Sequence, residues 1–168
     1  CNYNFFHYQI LTLLIYIFWI FLGSIIINYM LTFLGHAAFM YETENEILLM
    51  DPWMSKSGAF DSSWYQFPSN HLLGDNVREL IETTDKNVYI YISHEHKDHF
   101  DLPFLKSLPL SKINFITPKF RRDHVASVLN KLNPNSVTTL IDSEIVNIGN
   151  LEIRLFLDDQ EIVRDSAL

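Results

Sequence analysis

Residues 87 to 93, "NVYIYIS", place Val88 and Ile90 on one side of an extended chain and Tyr89 and Tyr91 on the other. A strand that is apolar on both faces needs a covering layer on each. This segment alone predicts a layered sheet with the strand near its centre. The next eight residues, "HEHKDHFD", are opposite in character, with three histidines and two aspartates following the strand directly. The whole chain of 168 residues has seven histidines, so this concentration requires a chemical explanation.

His94 and His96 are two positions apart, and in an extended loop their imidazoles point to the same side. One metal ion can take both. Asp98 and His99 follow, and a tight turn there directs a carboxylate oxygen and an imidazole nitrogen toward a neighbouring position. Nitrogen and oxygen donors without a thiolate suit zinc first, with iron or manganese as alternatives. A lone histidine in a polar loop is ordinarily a surface residue, but the spacing H-x-H-x-D-H at the end of a buried strand reads as a metal site on a rigid support.

The remaining pattern predicts an α+β chain from Met30 onward. "MLTFLG", "AAFMYET" and "EILLMD" read as successive strands, followed by a long loop over residues 52–75 of the kind that usually carries function. "DNVRELIETT" predicts a helix capped by Asp75, and "DLPFLKSLP" a short helix capped by Asp101. "INFITP" is a strand and "KFRRDHVASVLNKLN" a helix. "SVTTLI", "EIVNIG" and "LEIRLFLDD" are three further strands.

The formal charge of −8 argues against a nucleic-acid partner, which needs clustered Lys and Arg. Cys1 is the only cysteine, which excludes a disulfide framework and a thiolate zinc site within these residues, and suggests a reducing, cytoplasmic setting. Residues 10–27 are uncharged and nearly all apolar, long enough for a membrane span, yet no Lys or Arg precedes them. Two readings of residues 1–29 follow: a membrane anchor, or translated upstream sequence with Met30 as the true start. The chain opens on Cys1 rather than Met and stops at Leu168 without a terminal signal, so residues 30–168 are expected to form a domain truncated at its C-terminus.

"SHEHKDHFD" after a strand, together with "FLGHAAF" and "ILLMDPW" upstream, resembles the metallo-β-lactamase superfamily. The pieces "GHAAF", "DPW", "GAF" and "SHEHKDHFDLPFLKSLP" are most similar to its branch of ascorbate-phosphate lactonase-like, N-acyl phosphatidylethanolamine phospholipase D-like and CMP-N-acetylneuraminate hydroxylase-like proteins. The resemblance begins at Met30, which favours upstream sequence over an anchor. It implies a four-layer αββα sandwich, of which this chain supplies the N-terminal half. It also implies that His94 and His96 hold a first metal, and Asp98 and His99 a second. Asp98 would orient a metal-bound water as the catalytic carboxylate, and Asp51 would brace the metal loop, unless it is an ordinary strand-end turn residue.

His36, in "GHAAF", lines the pocket or caps a strand turn. The family's third ligand is absent as a histidine, because His124 is badly placed; Asp158, Asp159 or Asp165 would supply a carboxylate instead. His71 reads as an exposed loop residue, and Trp53 and Trp64 as packing for the long loop or a border of the substrate pocket. The function implied first is a metal-dependent hydrolase, with zinc activating water against an ester, lactone or phosphodiester of a small-molecule substrate. Two alternatives stand beside it. One is an oxidoreductase related to CMP-N-acetylneuraminate hydroxylase but lacking its Rieske domain, whose cluster needs paired Cys and His; the other is a non-catalytic fragment.

Overall fold

The computed structural model describes residues 29–120, 122–159 and 164–167. The strand over "NVYIYIS" lies where its two apolar faces require. It is β4 (Asn87–Tyr91) of a six-stranded sheet that also holds β1 (Met30–Gly35), β2 (Ala38–Glu42), β3 (Glu46–Met50), β5 (Ile113–Pro118) and β6 (Ser136–Leu140), in sequence order across the sheet. β1, β2 and β3 form an antiparallel meander; β3 to β6 are parallel.

Helices α1 (His71–Thr83), α2 (Leu102–Lys106) and α3 (His124–Asn130) provide the crossovers. Their Val77, Ile81, Phe104, Leu105, Val125 and Leu129 pack with Ile47, Leu49, Val88, Ile90 and Phe115. The opposite face presents Leu48, Tyr91 and Ile116 to Ile148 and Ile153, on the hairpin of β7 (Ile145–Ile148) and β8 (Leu151–Arg154). The period of two along β3 and β4 therefore assigns alternate residues to two separate cores. The layers are helices, main sheet and strands of a second sheet, as expected for part of the αββα sandwich. β9 (Phe156–Asp159) pairs antiparallel with β10 (Arg164–Ala167).

Three element boundaries differ from the sequence reading. α1 starts at His71, four residues before the expected Asp75 cap, and Asp75 instead pairs with Arg78 at 3.0 Å. Asn70 precedes the helix without capping it, because its side-chain amide donates to the carbonyls of Leu34 and Trp53. α3 is shorter than expected: the Lys119 amide donates to the Leu140 carbonyl at 2.7 Å and prolongs the sheet instead of starting a helix. The single strand expected over residues 151–159 is broken at Leu155, whose backbone exchanges bonds with Ser143 and Glu144 in the preceding turn while its side chain is fully buried.

Asp101 caps α2 as expected, accepting from the Phe104 amide at 3.2 Å. Its other oxygen accepts from the amides of Met54 and Ser55 and ties the long loop to this helix. Among the described residues no helix is long and apolar enough to cross a membrane. The segment 10–27 lies outside the described residues.

Candidate metal centre

Strand register explains how distant residues meet. β3 and β4 run parallel with Met50 opposite Tyr91, so Asp51 and the segment starting at Ile92 leave the sheet side by side at its carboxyl edge. β2 runs antiparallel with Phe39 opposite Met50, which carries the β1–β2 turn and His36 to the same edge. Loops at the carboxyl ends of parallel strands are where open α/β sheets place their ligands.

Asp51 is buried and organises the cluster. Its Oδ1 accepts from the Ser93 amide at 2.7 Å, and its Oδ2 accepts from the Ser93 hydroxyl at 2.6 Å and from His99 Nδ1 at 2.8 Å. With the proton of His99 held at Nδ1 by a carboxylate, the lone pair of that ring belongs to Nε2, the arrangement by which carboxylates orient metal-binding histidines. Ser93 Oγ also lies 2.9 Å from His94 Nδ1. Ser93 thus links Asp51 to the first histidine. Sequence reasoning passed over this serine; its position between the strand and the first histidine was the available signal.

The histidines converge. His94 Nε2 and His96 Nδ1 face each other at 2.8 Å, and the rings of His94 and His99 are 4.2 Å apart between centroids. Asp98 Oδ2 is 2.9 Å from His36 Nε2 and 3.5 Å from His99 Nε2. Asp98 Oδ1 is buried and accepts no hydrogen bond from the described residues. A buried carboxylate oxygen left without a donor is costly, and an ion or a water is a partner that would relieve it. His36, Asp98 and His99 together offer three donor atoms within 4.8 Å of one another. The cluster's nitrogen and oxygen donors, its buried anionic oxygen and its spacing fit a first-row metal ion.

The centre is walled by aromatic rings. Trp53 is buried at 2% exposure while Trp64 is 45% exposed, and both meet the His36 ring edge-on at 5.3 and 5.2 Å. Phe60 stacks on Trp64 at 6.1 Å and faces His96 at 6.4 Å. Lys97 bonds Asp61 at 2.7 Å, which joins the tip of this aromatic loop to the histidine loop and holds the Asp61 carboxyl below its ordinary range.

Other candidates lie apart. His71 opens α1 and bonds Ser69 Oγ at 2.7 Å instead of standing in the loop. His124 is exposed at the start of α3. Asp158 and Asp159 are on β9 and Asp165 is on β10, opposite Asp158. Their side chains, expected to hold the third ligand, lie outside the described residues.

Helices on one face of the main sheet, strands of a second sheet on the other and a histidine–aspartate cluster at its carboxyl edge are the arrangement expected of a metallo-β-lactamase-type domain. A family model described as a beta-lactamase superfamily domain matches residues 30–165, and the chain belongs to that family. A putative Rieske 2Fe-2S iron-sulfur protein of Mycobacterium tuberculosis is 35% identical over 101 residues, covering 60% of this chain and 18% of the relative. Cytidine monophosphate-N-acetylneuraminic acid hydroxylase of Mus musculus is 33% identical over 78 residues, covering 46% of this chain and 12% of the relative. Among solved structures, CmlA, a diiron beta-hydroxylase from Streptomyces venezuelae, matches with a TM-score of 0.51 at 18% identity, over 76% of this chain and 23% of that one.

The chain spans a fifth or less of the length of these curated relatives. The relatives correct the first functional expectation. Those whose names state a reaction are hydroxylases, which oxidise their substrates, so the metallo-hydrolase assignment is withdrawn. They lend no support to zinc in particular: the metal in their names is iron, as a 2Fe-2S cluster in one and a diiron centre in another.

Proposed function

We propose that this chain is the metal-binding domain of an oxidoreductase related to the hydroxylases it resembles, acting on a small-molecule substrate, and that iron is the metal its histidine–aspartate loop holds. The observation that carries this reading is the convergence of the imidazoles of His36 and His99 on Asp98 Oδ2, with the buried Oδ1 of the same carboxylate left without a donor among the described residues. That donor set suits iron as well as zinc, and CmlA, a diiron hydroxylase of similar fold, favours iron. Iron held by these residues would supply one-electron and oxygen chemistry that side chains cannot perform.

The protein's part is to bind and orient. His94 and His96 present one pair of nitrogens, Asp98 and His99 the adjacent donors. Asp51 and Ser93 hold two of those rings in register. Trp53 excludes water from one side, and the half-exposed Trp64 and Phe60 form the open border at which a substrate would approach.

The reading is tested by loading the purified chain with ferrous ion under anaerobic conditions, then cycling it between air and dithionite with Mössbauer detection. Bound iron that oxidises and returns through several cycles is the expected result. A chain that retains iron no better than a His94→Ala/His96→Ala variant would overturn it.

A further inference from the structure

We propose that His36, at the tip of the β1–β2 turn, is itself a metal ligand, donating through Nε2 beside Asp98 and His99. The inference rests on the reading that this cluster binds a metal, and adds to it a residue outside the H-x-H-x-D-H loop.

The tip of a β-hairpin ordinarily points its side chains into water and favours Gly or Asn where φ is positive. His36 does neither. Its φ is 52°, in the left-handed region, yet its side chain is only 27% exposed and turns inward. A left-handed non-glycine residue costs about 1 kcal/mol or more and persists where its surroundings over-determine it, commonly at functional sites. Those surroundings are visible. Trp53, Trp64 and His99 meet the ring edge-on at 5.2–5.4 Å, and Asn70 anchors the preceding Leu34 carbonyl at 3.0 Å.

Spacing distinguishes this histidine from a wall residue. Donors bound to one first-row ion at about 2.0–2.2 Å lie roughly 2.8–3.6 Å from one another. His36 Nε2 and His99 Nε2 lie 2.9 and 3.5 Å from the same oxygen, Asp98 Oδ2. Two imidazoles and a carboxylate from two separate elements thus form the edges of a coordination shell. A role confined to hydrogen-bonding Asp98 would explain the first distance but would not require His99 to share the oxygen.

The test uses Co²⁺ as the probe, titrated into the wild-type chain, His36→Gly and His36→Gln, with visible absorption and paramagnetically shifted imidazole N–H signals as readouts. Glycine suits the positive φ and removes the ring. Glutamine keeps an N–H donor near the position of Nε2 but is a poor ligand. A ligating His36 predicts that both variants lose at least about tenfold in affinity at one site, and that the glutamine variant lacks one shifted imidazole signal. Wild-type affinity and signal count in His36→Gln would overturn the inference while leaving the metal reading intact. Failure of the wild-type chain to bind Co²⁺ at all would overturn both.

Discussion

Asp51 carries three of the hydrogen bonds that order the histidine loop, and its φ of 43° places it in the left-handed region that Asp and Asn tolerate. Asp51→Asn therefore keeps the backbone and the size while removing the charge and turning one acceptor into a donor. The new NH2 then faces either the Ser93 amide N–H or the Ser93 hydroxyl and His99 ring together, and in each orientation a donor loses its acceptor. A stability loss of about 2–3 kcal/mol is expected in urea denaturation, together with metal binding weakened about 10–100-fold as for other partners of metal-bound histidines. Unchanged values for both would show that Asp51 is only a turn residue.

At the scale of elements, the short α2 and the long loop before α1 are held by one side chain. Asp101 is buried and accepts from the amides of Phe104, Met54 and Ser55. Asp101→Ala strands three donors, and a loss of about 2–4 kcal/mol is expected by chemical denaturation. The β7–β8 hairpin depends on Gly149, whose φ is 59° and where a Cβ would overlap the Glu46 carboxylate. That carboxylate accepts from the Asn150 amide at 3.0 Å and joins the hairpin to β3. Gly149→Ala should cost about 1–3 kcal/mol, measurable as a lower melting temperature.

Elements of this kind mark the boundary of what sequence can disclose. The cap of α2 was legible because Asp101 acts on the amide three residues ahead. The early start of α1 was not, since Asn70 spends its side chain on carbonyls 17 and 36 residues away. Leu155 likewise leaves the strand pattern through bonds to a turn that only the folded chain brings near.

Over the whole molecule, the apolar pattern of β4 foretold a central strand between two cores, because alternation constrains both faces at once. The histidine loop was legible from spacing alone, whereas the approach of His36 to Asp98, 62 residues apart, follows from strand register that no local pattern encodes. Fold resemblance led first to a hydrolase, and the relatives turned the reading toward oxidation, as happens when one fold serves several chemistries.

The most direct test of a metal centre here is metal content. The purified chain and the His96→Ala and Asp98→Ala variants are dialysed together against ferrous ion without oxygen, checked for equal folding by circular dichroism, and analysed for iron. Near-stoichiometric iron in the wild-type chain and at least tenfold less in both variants is the predicted result. Equal iron in all three would contradict the account.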